Sequence, residues 1–322
     1  MSRSRHFVRA AVLAVVAVLA TACGGAAQTP VNPAPVSDAA WPQPADVGGP
    51  DASAGGDADT SCDPLKSLAP SGMNPNTGTM AKILARGKLI AGVDQTTYLF
   101  GFRNTKTGNL EGFDIDMVNQ IAAAIFGEAE GHVQFRAIPS SQREQVLKDH
   151  QVDVVVRTYS ITCERKKSVQ FSSVYYVAGQ KILVPKTSTA TSLADLAGKR
   201  VCAAKQSTSL AKIATDPAKP VAVSVDNWSD CLVMLQQGQV DAVSTDDTIL
   251  AGMAAQDPTV KVVGDPMTQE NYGIGIPKDQ DDMVRFVNAV LDQVRGGSWQ
   301  TSYQRWVGDR LGPAQPPTPQ YQ

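Results

Sequence analysis

The chain of 322 residues has few of the side chains that metal and phosphate sites need. It contains three histidines and no C-x-x-C pair, so the sequence predicts no zinc site. It also has no Gly-rich phosphate loop, and no Ser, His and Asp in the sequence context of a hydrolase triad. We therefore expect no metal, no cofactor and no enzymatic activity.

Long apolar runs and an excess of positive charge are absent as well. The apolar run near the start, Ala10 to Ala20, is 11 residues long, whereas a membrane-spanning helix needs roughly 20. The formal net charge is −2 and no basic face is evident, which gives no support for nucleic-acid binding.

The N-terminus has the features of an export signal. Three arginines precede the apolar run, and Thr21-Ala22-Cys23 follows it. This order is typical of a secretory signal, here residues 1–22. The cut site resembles a lipoprotein box, although Ala20 stands where leucine is commonest. We predict lipidation of Cys23 and a lipid-anchored position on the outer face of the cell membrane, with plain secretion as the alternative.

Two segments have too little apolar surface to fold by themselves. From Gly24 to Ser61 there is no Leu, Ile, Met or Phe, so burial cannot offset the entropy of ordering. We predict a lipid anchor and disordered tether over 23–76. The Pro/Gln-rich residues 312–322 are predicted to be a flexible tail.

The remaining residues contain an internal repeat. Residues 87–97 read GKLIAGVDQTT, and residues 198–208 read GKRVCAAKQST. A second pair of similar segments follows, VLKDHQVDVVV at 146–156 and MLQQGQVDAVS at 234–244. Each repeated segment contains a strand, and helical spacing lies between the two segments of the first copy, with Asp114 as the expected N-cap. Alternating strands and helices predict α/β units with mostly parallel sheets.

The repeat predicts two α/β lobes. We assign residues 77–182 and 272–311 to lobe one, and residues 183–271 to lobe two. A later amphipathic helix, ended by Gly296-Gly297, is expected to pack back on lobe one. The chain would then cross between lobes twice, near 181–186 and 268–276, and two crossings form a hinge.

Four cysteines remain besides Cys23, and an exported chain meets oxidising conditions. Three pairings are open to them. We predict Cys202–Cys231, because one lies on the first strand of lobe two and the other on a nearby helix of that lobe. Cys62 and Cys163 then pair by elimination, with free or differently paired thiols as the alternative.

Polar residues follow the repeated strands, where ligands of open α/β sheets bind. They are Asp94, Gln95, Thr97, Arg157, Thr158 and Ser160 in lobe one, and Gln206, Ser207, Thr208, Thr245, Asp246 and Asp247 in lobe two. Two such strand ends facing each other would form a polar crevice.

The charges around this crevice suit a zwitterion. Arg165 could grip a carboxylate through two parallel hydrogen bonds, and Asp246 could hold an ammonium group. Arg143 and Arg157 could neutralise a second carboxylate. The hydroxyls that would add neutral hydrogen bonds are those of Ser140, Thr158 and Ser160.

Each of these charges also has a simpler interpretation. Arg165 begins a run of three cations, which is typical of a solvated surface. Asp246 and Asp247 could cap a helix, and Arg143 could be an exposed helix residue. Arg157 is different, because a charge at the end of a valine strand needs a partner.

Three segments resemble a known family. GFDIDM at 112–117, SITCERKKSVQFSSVYY at 160–176 and QGQVDAVSTDDTILAG at 237–252 are similar to the polar-amino-acid substrate-binding proteins of ABC importers. The likeness covers about residues 79–308 and is strongest to the glutamate/glutamine- and glutamate/aspartate-binding branch. It implies the two-lobed, type II periplasmic-binding-protein fold with two hinge crossings.

The resemblance also implies roles for single residues. It makes Arg165 the anchor of the α-carboxylate and Asp246 the partner of the α-ammonium group. The remaining matched positions are the pocket-wall residues Thr158 and Ser160, the lobe-two loop residue Thr208, and Ser140 and Arg143, which meet a side-chain carboxylate. The sequence departs from the family at Thr97, where many relatives have an aromatic residue, at Cys163, and at Arg157, whose position is usually small.

We therefore expect a monomeric receptor for L-glutamate or L-aspartate, with asparagine and glutamine as further ligands, that delivers its ligand to an ABC permease. An amino-acid sensor that signals to a membrane protein is the alternative. A secreted dehydratase on the same fold is a third hypothesis, with Asp94, Glu164 and Asp246 as its candidate acids.

Overall fold

The structure, a computed structural model, describes residues 48–49 and 62–322. The predicted signal (1–22), the lipidation site Cys23 and most of the predicted tether lie outside the described residues. Within the described stretches, no helix is both long enough and apolar enough to cross a membrane.

The described chain alternates strands and helices. The strands are β1 (Lys66–Ser67), β2 (Leu89–Val93), β3 (Thr96–Thr97), β4 (Gly101–Arg103), β5 (Leu110–Glu111), β6 (Val133–Ala137), β7 (Val154–Val155), β8 (Val169–Phe171), β9 (Tyr176–Ala178), β10 (Gln180–Pro185), β11 (Arg200–Ala204), β12 (Val221–Val225), β13 (Ala242–Asp246), β14 (Val260–Val263), β15 (Glu270–Tyr272), β16 (Gly275–Pro277) and β17 (Gln320–Tyr321). The α-helices are α1 (Gly78–Arg86), α2 (Phe113–Phe126), α3 (Arg143–Lys148), α4 (Cys163–Ser168), α5 (Thr208–Thr215), α6 (Trp228–Gln236), α7 (Asp247–Gln256), α8 (Asp281–Arg295), α9 (Ser298–Tyr303) and α10 (Asp309–Leu311). Short 3-10 helices cover Ser140–Gln142 and Ala194–Leu196, and a π-helix covers Gln304–Gly308.

The two central sheets have the same arrangement. Lobe one has the strand order β6-β2-β7-β16-β8, and lobe two has the order β12-β11-β13-β10-β14. In each five-stranded sheet the first three strands pair in parallel and the fourth pairs antiparallel with both of its neighbours, so four strands run in one direction and one in the other. The repeated segments supply the equivalent strands β2 and β11, and β7 and β13. The prediction of two α/β lobes from the repeat is therefore confirmed.

The strands read as near-continuous apolar runs because both faces of each sheet are covered. In lobe one, β2 places Leu89, Ala91 and Val93 in a core that α8 completes. The buried apolar residues of α8 follow one face of the helix: Met283, Val284, Phe286, Val287, Val290, Leu291 and Val294. The amphipathic helix predicted for this segment forms, and it packs on lobe one as expected, with Gly296 as its C-cap.

The two crossings lie side by side. Strand β9 pairs antiparallel with β15, from Tyr176 against Tyr272 to Ala178 against Glu270. We call these two strands the hinge ribbon. The first crossing was expected at 181–186, but Gln180 already pairs with Asp246 in the sheet of lobe two. Lobe two therefore begins a few residues before the predicted 183, because the apolar run of β10 belongs to its sheet.

The predicted N-cap at Asp114 is wrong. Helix α2 begins at Phe113, and its N-cap is Gly112, with φ of 128°. A side chain at that position would meet the carbonyl oxygen of Phe100 at 2.3 Å, which explains the glycine. Asp114 is instead buried, and its carboxylate accepts hydrogen bonds beneath the site described below.

The C-terminal tail does not behave as its composition suggests. The tail predicted to be flexible forms β17, which pairs in parallel with β1 in the last part of the predicted tether. The Tyr321 hydroxyl donates to Asp292 at 2.6 Å, and Arg295 donates to the carbonyl of Pro317 at 2.9 Å. Backbone pairing and these anchors order a segment that has little apolar surface of its own.

Both predicted disulfides are present. Cys202–Cys231 joins β11 to α6 within lobe two, and Cys62–Cys163 joins the segment before β1 to the first residue of α4. The Cys62–Cys163 bond ties the segment before β1 to the helix that carries Arg165.

Candidate functional site

The site lies where the repeated strands of both lobes end. Asp94 follows β2 and Arg157 follows β7 in lobe one. Gln206 follows β11 and Asp246 ends β13 in lobe two. Because the carboxyl ends of parallel strands share one edge of a sheet, each lobe gathers its polar residues at one end.

Two arginines form the wall of the site in lobe one. Arg165 and Arg143 are 6% and 4% exposed, so their interpretation as solvated surface charges is wrong. Both stack on the ring of Tyr159, at 5.0 and 4.3 Å from its centroid. Both also donate to the carbonyl of Gln206 in lobe two, at 3.0 and 3.3 Å. The lobes are therefore in contact across this site.

Local structure fixes each arginine. Thr162 caps α4 by accepting from the backbone N–H of Arg165, whose guanidinium donates to the carbonyl of Ser160 at 2.6 Å. Arg143 opens α3, and its Nε donates to the carbonyl of Ser140 at 2.9 Å. A guanidinium has five N–H donors, and Arg165 uses two of them on described residues.

The proximity of these two cations has an electrostatic consequence. Burial, and then the charge of Arg165, lower the pKa of Arg143 to about 9. A bound anion is attracted by both buried cations, and it also offsets the repulsion between them. The pair therefore stabilises the anion more than either cation would alone. This wall is therefore suited to a carboxylate.

Asp246 forms the opposite wall, in lobe two. It is 4% exposed, and one carboxylate oxygen, Oδ2, accepts from the hydroxyl of Tyr272. The other, Oδ1, is buried and accepts from no described residue. Burial, followed by the nearby charge of Glu270, raises the pKa of Asp246 well above its usual range. A buried acceptor without a donor is costly, so this oxygen is suited to a cationic donor such as an ammonium group.

Glu270 is a buried acid that the sequence analysis did not select. It lies in the hinge ribbon and accepts from Thr208 Oγ1 at 2.9 Å and from Thr268 Oγ1 at 2.7 Å. The wall of lobe two thus has two carboxylates. The sequence signal for Glu270 is its place in the second crossing, beside the Tyr-Gly that leads into β16.

Arg157 is the centre of a buried network in lobe one. It is 0% exposed and donates through Nε to the carbonyl of Ile138 at 2.7 Å, and through Nη1 to the hydroxyl of Ser140. Its Nη2 lies 2.8 Å from Asp94 Oδ2, an ion pair without the alignment of a good hydrogen bond. The hydroxyl of Thr97 donates to the same oxygen at 2.7 Å. The partner expected for Arg157 is therefore Asp94, and three of the predicted ligand residues are bonded within the protein.

Asp114 supports the floor of the site. It accepts from the backbone N–H of Thr158 at 2.9 Å and from the hydroxyl of Tyr175 at 2.7 Å. Thr158 has a φ of 41°, in the left-handed region that a non-glycine residue rarely adopts, so this hydrogen bond holds a strained turn. Burial raises the pKa of Asp114 to about 7.

The predicted hydroxyl residues fall into two groups. Thr158 and Ser160 are buried, and neither hydroxyl bonds to another residue in the described part of the chain. Thr208 begins α5 behind its N-cap Ser207, and its hydroxyl is used by Glu270. A cationic wall in lobe one, an anionic wall in lobe two and the buried hydroxyls of Thr158 and Ser160 can together bind a small zwitterion.

Known proteins are similar to this chain in sequence. The profile of the family described as "Bacterial extracellular solute-binding proteins, family 3" matches residues 89–309. The "ABC transporter glutamine-binding protein GlnH" of Bacillus subtilis is 38% identical over 231 residues, 71% of this chain and 84% of that protein. The "Glutamate-binding protein GluB" of Corynebacterium efficiens is 33% identical over 225 residues, 66% of this chain and 74% of that protein.

A solved structure shares the fold. It is "An ancestral arginine-binding protein bound to glutamine", with a TM-score of 0.64 and 34% identity. The match covers 69% of this chain and 99% of that one.

Proposed function

Because the chain belongs to the family 3 bacterial extracellular solute-binding proteins, we propose that it binds an acidic or amide amino acid between its lobes and delivers it to an ABC permease. The observation that carries this proposal is the pair of opposite charges across the site. Among the described residues, Arg165 in lobe one uses two of its five N–H groups, and Asp246 Oδ1 in lobe two is buried without a donor.

The two ends of the ligand are assigned to these two residues. Arg165 receives the α-carboxylate, because a guanidinium matches a carboxylate with two parallel hydrogen bonds. Asp246 Oδ1 receives the α-ammonium group, which supplies the missing donor and pairs a buried charge. The buried residues Thr158 and Ser160 offer further hydroxyls to the ligand.

Arg143 is assigned to the side chain of the ligand. It shares the Tyr159 ring and the Gln206 carbonyl with Arg165, so it adds a second buried positive charge beside the first. That charge favours the second carboxylate of glutamate or aspartate, while an amide could accept a hydrogen bond from it. The relatives named for glutamine and for glutamate support both classes.

Ligand binding would favour closure, because the ligand contacts both lobes in the closed state alone. Residues 1–22 would be removed on export, and a lipid on Cys23 would hold the receptor at the outer face of the membrane, near its permease. Metabolic labelling with a fatty acid tests this anchor, since the Cys23→Ala variant should lose the label.

Calorimetry against a panel of amino acids tests the proposed function. The wild type should bind L-glutamate, L-aspartate or their amides. Arg165→Ala should weaken binding of all of them about a hundredfold or more, because two charge-assisted hydrogen bonds of roughly 1.5–3 kcal/mol each are lost. Arg136→Ala removes an exposed arginine of the same lobe and is the matched control.

A second variant separates the role of Arg143 from that of Arg165. Arg143→Met keeps much of the buried stem but removes the charge, so it should weaken glutamate binding more than glutamine binding. Equal losses for both ligands would contradict the assignment of Arg143 to the side chain. Full-strength binding by Arg165→Ala would overturn the proposed site.

A further inference from the structure

A glycine on the inner face of lobe two touches lobe one. Gly252 lies in the interior of α7 and is buried. A Cβ at this position would lie 2.3 Å from the carbonyl oxygen of Tyr98 and 3.2 Å from its carbonyl carbon. Tyr98 belongs to the turn between β3 and β4 in lobe one, so the contact joins the two lobes.

The turn that carries Tyr98 is held rigidly. One oxygen of Asp94 accepts from the backbone N–H groups of Gln95 and Thr96, at 2.7 and 2.9 Å, and the other accepts from Thr97. Arg157 in turn fixes Asp94 through their buried ion pair. The carbonyl of Tyr98 therefore cannot retreat without breaking this network.

The far side of the turn is fixed as well. The N–H of Phe100 donates to the carbonyl of Thr97 at 3.1 Å. Leu99 has a φ of 79° and its side chain is buried in the core of lobe one. Because this turn is hydrogen-bonded on one side and packed in the core on the other, it cannot be displaced without displacing the rest of lobe one.

Helix α7 is equally constrained on its own side. Ile249, Leu250 and Met253 are buried in the core of lobe two. Asp246, the assigned ammonium partner, is its N-cap, and Thr248 lies 2.9 Å from the hydroxyl of Tyr272 in the hinge ribbon. Any shift of α7 that made room for a side chain at 252 would move the ligand site as well.

We propose that Gly252 is a closure residue: the absence of its side chain makes room for the Tyr98 carbonyl, so that the two lobes can close on the ligand. A glycine in a helix interior weakens the helix relative to alanine, because it has more backbone freedom to lose. A reason outside the helix explains its presence here. The steric conflict exists when the lobes meet, and it disappears when they separate.

The test is the Gly252→Ala variant, which should keep or raise the stability of the ligand-free protein while it lowers the affinity for the ligand. Alanine favours the helix, so the ligand-free protein should melt at the same temperature as the wild type or higher. Closure becomes harder, so affinity for L-glutamate and L-glutamine should fall at least tenfold, as overpacking of a fixed contact predicts. The affinity of the Gly252→Val variant for these ligands should fall further. Ala255→Ser adds one atom to a half-buried position of the same helix and should leave affinity unchanged.

Small-angle X-ray scattering provides the second measurement. On saturation with L-glutamate, the radius of gyration of the wild type should decrease, and that of Gly252→Ala should decrease less. The inference is overturned if Gly252→Ala binds and contracts like the wild type, or if its ligand-free melting temperature falls together with its affinity.

This inference rests on the proposed function, but a different experimental result would contradict each of the two proposals. If the wild type binds none of the amino acids in the panel, the proposed function is wrong. If the wild type binds and the Gly252 variants bind equally well, the ligand assignment stands and the closure residue does not.

Discussion

The substitution Asp246→Asn separates the binding role of this carboxylate from its cost to the fold. The side chain is buried, its Oδ2 accepts from Tyr272, and its Oδ1 accepts from no described residue. Burial and the charge of Glu270 raise the pKa of Asp246, which means that holding the charged form in the ligand-free protein costs stability. Asparagine has almost the same shape and no charge.

The two effects have opposite signs. The ligand-free variant should be as stable as the wild type or more stable, because asparagine removes the cost of holding a buried carboxylate in its charged form. Ligand affinity should fall, because a hydrogen bond to a charged group contributes about 1.5–3 kcal/mol. That range corresponds to a loss of roughly 10- to 150-fold in affinity.

Calorimetry and chemical denaturation measure the two quantities. The neighbouring Asp247→Asn is the matched control, since its carboxylate opens α7 and accepts from the N–H of Gly179 at 3.4 Å. It should change affinity little. Wild-type affinity should rise with pH as Asp246 ionises, and this rise should be smaller in Asp246→Asn. Unchanged affinity in Asp246→Asn, or equal losses of affinity and ligand-free stability, would refute the reasoning.

Two further predictions concern the buried charges of lobe one. Arg157→Met should lower the free energy of unfolding by about 3–5 kcal/mol in a urea titration, because it leaves Asp94 buried without its partner; a change below 1 kcal/mol would contradict this. The pKa of Asp114 rises from 3.8 to about 7 on folding, so between these values the folded state holds more protons and stability should fall as pH rises, by at most about 4 kcal/mol. Thermal melts from pH 4 to pH 8 measure this slope, which Asp114→Asn should flatten and which an unaltered slope in that variant would contradict.

The architecture could be predicted because local sequence patterns determine the order of its strands and helices. The repeated segments that begin at residues 87 and 198 became equivalent strands, since apolar β-branched runs next to helical periodicity favour α/β units in any context. The existence of two crossings and of α8 followed from the same patterns, although the first crossing lies before the predicted 181–186. Arg165 and Asp246 were selected from their charges at strand ends and from the family resemblance.

The partners of buried charges could not be predicted in this way. Nothing near Arg157 in the sequence indicates Asp94, which lies 63 residues away and meets it because β2 and β7 are neighbours in the sheet. Asp114 was interpreted as a cap because it stands at a helix start, whereas tertiary packing turns it towards Thr158. Glu270 was missed because its sequence signal, a place in the second crossing, does not show that the acid is buried.

The charges of the site explain why stability and binding are opposed here. Lobe one buries Arg143 beside Arg165, and lobe two buries Asp246 with Glu270 nearby, so each wall carries like charges that repel. The fold tolerates this repulsion at a cost in stability. A molecule with a carboxylate at one end and an ammonium group at the other relieves both walls at once, and only when the lobes meet. The repulsion that lowers the stability of the ligand-free protein is relieved on binding and therefore increases the affinity for the ligand. Substitutions that neutralise either wall should accordingly stabilise the ligand-free receptor and weaken its affinity.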